Sequence, residues 1–158
     1  MSGIAAGATI ALILHILSAV VWVGGMFFAH QVLRPAVAGL DLGPRLMLWS
    51  RVLRRFFAWA FAAIVLLLAS GFWMVLALFG GFATAGLYIN LMTGLGILMM
   101  LLFLHIYFAP WRRFRQALAR QDWAEGARRL GQIRMVVAIN LVLGLITVAI
   151  GGSGRYWG

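Results

Sequence analysis

Three histidines, two asparagines and eight methionines carry most of the ligand chemistry this 158-residue chain offers. The imidazoles of His15, His30 and His105 can each give a lone pair to iron or copper. Asn90 and Asn140 bring amides that could donate to a quinone carbonyl or bond a neighbouring carbonyl between helices. Thioethers such as Met99 and Met100, combined with imidazole, suit Cu(I). The blander role for scattered methionines is apolar filling, and for one histidine it is a hydrogen bond between packed segments. The sequence contains no cysteine and no lysine, which excludes thiolate metal sites, iron–sulfur clusters, disulfide frameworks and cysteine nucleophiles.

Spacing sharpens the candidates. At 100° per residue, His15 and His30 lie about 60° apart on one helix, with Trp22 and Met26 on the same stripe. Ser18 and Ala19 add small side chains beside them. On a second stripe stand Asn90, Gly94, Leu98 and His105; on a third, Asn140, Gly144, Thr147 and Gly151. Small and polar stripes pack inward in membrane bundles, either for close helix contact or to make room for a flat cofactor.

Those stripes need apolar helices to carry them, and the composition supplies them. Apolar residues make up 65% of the chain and charged residues 10%, far from the roughly one-quarter charged content of soluble domains. Four apolar runs, about 4–33, 56–79, 87–109 and 135–150, each approach the roughly 20 residues that span a bilayer. The sequence therefore predicts one domain over 1–158, an all-α integral membrane bundle of four helices. A glycine-bearing turn at Gly80, Gly81 and Gly86 joins the second and third runs. The first run has no positive side chain before it, unlike a secretory signal, and reads as a retained span.

Nearly all of the formal charge of +10 falls in two segments, Arg34–Arg55 with five arginines and Trp111–Arg134 with seven. Arginine-rich short loops stay in the cytoplasm, and two spans separate these segments. The expectation is a multi-pass protein of a bacterial inner membrane with both termini periplasmic. The partner of the basic charge is then the lipid bilayer, not nucleic acid. Asp, Glu, Lys and Arg are absent from all four runs, which weighs against ion-coupled transport.

Depth follows from the 1.5 Å rise per residue. His15 falls roughly 5 Å to the outer side of the midplane, His30 roughly 15–18 Å to the inner side and His105 roughly 10 Å to the inner side. A bis-histidine haem between the first and third helices would use His30 and His105. A second iron site at His15 would have a non-histidine partner such as Met74, or none; thioether and imidazole are both ordinary axial ligands. Asn90 falls roughly 12 Å to the outer side, near the His15 half.

The segment LHILSAVVWVGGMFF reads H-x6-W-x2-G from His15 to Gly25, and His30 and Arg34-Pro35 follow it. It resembles the first helix of the copper resistance protein D (CopD) family and of HemJ-type protoporphyrinogen oxidases, both similar to four-helix membrane cytochromes b. The resemblance extends to the four spans, the two basic segments and His105 in LLFLHIYFAPWRRF. It implies a cytochrome b-like bundle in which His15 binds haem b. HemJ-type third helices carry a histidine–lysine pair near their start, where this chain has Tyr88, Ile89 and Asn90.

The leading functional expectation is thus an inner-membrane haem b redox protein, an oxidoreductase passing one electron and linked to quinol and a redox partner. His15, His30 and His105 would be its metal ligands, with Trp22 near the porphyrin. Arg34, Arg54, Arg112 and Arg113 would stabilise the propionates. Copper transport or tolerance, HemJ-type porphyrinogen oxidation and a cofactor-free assembly role stay open. So does a homodimer that shares iron across subunits.

Overall fold

The computed structural model describes residues 2–157, and among them every regular element is helical. Helix α1 (Ser2–Phe27) runs through a π-helical turn at Phe28–Leu33 into α2 (Arg34–Ala36). It is followed by α3 (Leu42–Phe79), α4 (Leu87–Ile106), a second π-helical turn at Tyr107–Trp111, α5 (Arg112–Ala119) and α6 (Trp123–Ser153). A 3-10 turn, Gly154–Tyr156, closes the fold. Four of the resulting helical runs are long and apolar enough to cross a membrane, as the sequence predicts.

Both π-helical turns adjoin a proline, and the ring explains them. Proline has no N–H and its ring crowds the carbonyl four residues earlier. A locally widened turn lets the chain pass Pro35 and Pro110 without breaking the helix. Arg34 N–H accordingly reaches back five residues to the Ala29 carbonyl. The first of these turns contains His30.

The helices are longer than the apolar runs. At 1.5 Å per residue, the 38 residues of α3 extend about 57 Å, nearly twice the hydrocarbon thickness. The two arginine-rich segments, expected as loops, are therefore mostly helix, and the connections shrink to 37–41 and 120–122. The reason is visible in Leu46, Trp49, Leu53 and Phe57. They recur every three or four residues and are all buried, so the segment before the apolar run has its own packing face. At the start of α6, the Asp122 carboxylate accepts the Glu125 N–H at 2.9 Å and caps the helix. At the far end of α3, Gly80 adopts φ 72° and stops the helix in a left-handed turn.

Helix α1 packs chiefly on α3 and α4 chiefly on α6, while α6 also touches α1 and α3. The connectivity is up-down-up-down. Trp22, Met26, Phe57, Phe103, Phe114 and Ile133 are among the side chains fully enclosed by it. Outside, Ile10, Val20, Leu76, Leu101 and Val142 are exposed, the arrangement expected when lipid tails replace water as solvent. Twelve of the thirteen arginines lie at or beyond one end of the bundle, and Arg155 alone sits at the other.

Candidate functional site

The first-helix stripe behaves as its spacing predicts. Ser18, Trp22 and Met26 are buried against the neighbouring helices, with Trp22 at 2% exposure. His15 and His30 sit half-buried along the same stripe, one on each side of this core. Trp22 meets Phe103 edge-on at 6.2 Å, and its indole N–H is buried with no partner.

His15 has the most specific surroundings. Its Nδ1 lies 3.0 Å from Ser70 Oγ on α3. Ser70, itself buried, donates its only proton to the Leu66 carbonyl at 2.5 Å. The hydroxyl oxygen then accepts from the His15 Nδ1–H, which in a neutral ring leaves the Nε2 lone pair free. The ring also lies close to Gly71, where an added Cβ would come within 3.1 Å of His15 Cε1. A glycine at that position is what lets the imidazole lie against α3. Anchoring one ring nitrogen so that the other can ligate is the usual support given to metal-binding histidines. Met74 stands one turn beyond Ser70 on the same face of α3 and is half-buried.

His30 occupies the arginine-rich end. Its Nε2 lies 3.4 Å from Arg34 Nη1, and because arginine can only donate, that nitrogen accepts. The proton is then on Nδ1, which is buried without a partner.

His105 departs from expectation. The Asn90, Gly94, Leu98 and His105 stripe, expected to pack inward, is exposed along its whole length. The buried face of α4 instead carries Met99, Phe103 and Ile106. Complementary shape explains the choice. Helix α6 offers glycines, and a Cβ at Gly144 would lie 3.0 Å from Met99 Cε, one at Gly151 3.0 Å from Met92 Cε. Long methionines fill the grooves above those glycines, whereas a small face on α4 would leave a void.

The structure therefore does not bring His30 and His105 together. Between the first and third spans lie Trp22, Phe57, Phe61 and Phe103, with Phe103 edge-on to Phe57 at 5.5 Å and to Phe61 at 4.9 Å. These rings pack the core between the spans, and His105 lies outside it on the exposed face of α4. Among the described residues, no three His, Cys, Asp or Glu side chains converge to hold a metal.

The asparagines divide. The Asn90 side-chain NH2 donates to the Phe82 and Ala85 carbonyls at 3.2 and 3.4 Å, so it staples the preceding turn and does not face the His15 region. Asn140 is buried and its NH2 donates to the Met99 carbonyl at 3.1 Å, tying α6 to α4. Arg54, Arg112 and Arg113 are exposed. Glu125 takes Arg128 at 2.7 Å and Arg129 at 2.6 Å. Arg129, and then Arg128, hold its carboxyl below the ordinary carboxylate range. The unmet donors around Trp49 and Arg134 had no signal in histidine or methionine spacing; an arginine eighty-odd residues from a tryptophan becomes its neighbour only through the fold.

The family model described as copper resistance protein D matches residues 50–153. No curated protein and no solved structure matches the chain.

Proposed function

Because the chain belongs to the copper resistance protein D family, we propose that it handles Cu(I) as cargo in copper tolerance, from within a bacterial inner membrane. The observation that supports this reading is the His15–Ser70–Leu66 hydrogen-bond chain, which in a neutral imidazole leaves Nε2 unprotonated. Such a nitrogen binds a cation without first releasing a proton. Met74, one turn away on the Ser70 face, is the thioether assigned to complete a low-coordinate site. Imidazole with thioether is a soft set that selects Cu(I) over harder cations. Trp22 and Ser18 close the inward side of the stripe, so cargo reaches His15 from the half-exposed edge.

Anaerobic titration of the detergent-purified protein against a Cu(I)-selective chelator tests this. One Cu(I) per chain is expected, with affinity reduced about tenfold or more in His15→Ala and less in Met74→Leu. Unchanged affinity in His15→Ala would overturn the assignment. The haem b and quinol-linked redox reading has no support from the residue geometry. A Soret band with sharp reduced bands in the purified protein, lost in His15→Ala, would restore it and displace copper.

A further inference from the structure

Helix α1 turns one stripe toward α3, and between its start and His15 that stripe is built from very small side chains. At 100° per residue Gly7, Ala11 and Ser18 fall within about 40° of one another, with His15 beside them. Ala11 and Ser18 are buried, whereas Gly7 and His15 are half-buried. Leu12, Leu14 and Ile16, on either side of the stripe, are exposed and face hydrocarbon in a bilayer. Hydrocarbon excludes a cation, so the approach to His15 runs lengthwise along the α1–α3 seam. From the arginine-poor end it passes Gly7 and then Ala11. Gly7 precedes His15 by eight residues, about 12 Å of helix.

One side chain crosses that route. Trp73 of α3, next to Met74 and three residues beyond Ser70, lays its ring edge over Gly7. A Cβ at Gly7 would stand 2.9 Å from Trp73 Cη2 and 3.0 Å from Cζ2, so a larger residue there would displace the ring. His15 thus lies between two indoles, Trp73 toward the arginine-poor end and Trp22 toward the arginine-rich end. The two differ in freedom. Trp22 is enclosed by the bundle, whereas Trp73 is 38% exposed, and much of its ring has no packing partner to hold it in place. With that ring turned away, the stripe offers nothing bulkier than the Ala11 methyl between Gly7 and His15.

Resting on the Cu(I) reading of His15, we propose that Trp73 is the gate of that site. The ring over Gly7 closes the seam, and the ring turned outward opens it for Cu(I) to enter and leave. A gate lies on the path of the cargo and is not one of its ligands. It therefore changes the rates of loading and release by the same factor and leaves the affinity where it was. A ligand, or a residue that orients one, does the opposite and changes the affinity.

Anaerobic stopped-flow mixing of the detergent-purified full chain with a Cu(I)–acetonitrile complex reads loading, and mixing the loaded protein with excess chelator reads release. Trp73→Ala should load and release about tenfold faster, with affinity unchanged within about twofold. Trp73→Phe keeps an aromatic ring in place but shortens it, and should fall between Trp73→Ala and the parent. Gly7→Ala, whose methyl would push the ring off α1, should also speed both rates. Trp59→Ala, exposed on the same helix and about four turns away, should behave as the parent does. Unchanged rates in both Trp73 variants, in a parent that binds Cu(I) through His15, would overturn the gate and leave the copper reading standing. A lowered affinity with unchanged release would overturn the gate as well. No Cu(I) binding in the parent would overturn both.

Discussion

A serine hydroxyl has one proton, and at Ser70 that proton decides what His15 can do. With the proton given to Leu66, the oxygen accepts from Nδ1 and fixes the tautomer. Ser70→Ala would free the ring to rotate and to exchange tautomers while leaving the imidazole in place. Cu(I) affinity in that variant is expected to fall about tenfold, measured by the same chelator competition, with the fold retained. An affinity equal to the parent protein would mean that the serine merely packs. The same logic separates the histidines. His15 is oriented by a buried partner, His30 meets Arg34 through Nε2 with its Nδ1 buried, and His105 is exposed.

Helices α4 and α6 meet antiparallel, with Met99 over Gly144 and Met92 over Gly151 in one register. Asn140 bonding the Met99 carbonyl fixes that register with a polar pin. A methyl group added at Gly144 would stand 2.9 Å from Val23 Cγ2 and 3.0 Å from Met99 Cε, so those two side chains would have to give way. Gly144→Ala should cost about 1–3 kcal/mol by overpacking. Thermal unfolding in detergent should show this as a lowered midpoint. Gly152→Ala is the matched control, since nothing lies within 4 Å of its added Cβ. That variant should be neutral or gain roughly the glycine-to-alanine helix preference, up to about 1 kcal/mol. Equal midpoints for the two would show that the close approach at Gly144 is not what holds these helices.

For the whole molecule, charge is the organising quantity. Twelve arginines gather at one end and one at the other, an asymmetry that sets orientation during insertion. The arginine-rich end is expected to face the cytoplasm. A fluorescent protein fused after Gly158 should then stay dark, and an alkaline phosphatase fused there should be active. The reverse pattern would invert the molecule and place the arginine-rich end outside.

Four spans, their alternation and the basic asymmetry were legible in the chain because they depend on composition and on distance along it. The inward placement of Trp22 and Met26 was legible too, since a helix shows its period locally. The facing of α4 was not. Asn90, Gly94, Leu98 and His105 make as regular a stripe as the first helix does, yet that stripe is exposed. Which face a helix buries depends on the shape of its neighbour, and the glycines of α6 call for methionines opposite them. The helical nature of the arginine-rich segments also emerged only from packing, because Leu46, Trp49 and Leu53 gain burial when the bundle end closes over them. Chemistry divides the same way. Histidine types and the first-helix pattern pointed to a metal ligand, but folding alone put Ser70 beside His15 and Arg134 over Trp49. Both pairings join residues more than fifty positions apart, a separation at which sequence spacing carries no geometric information.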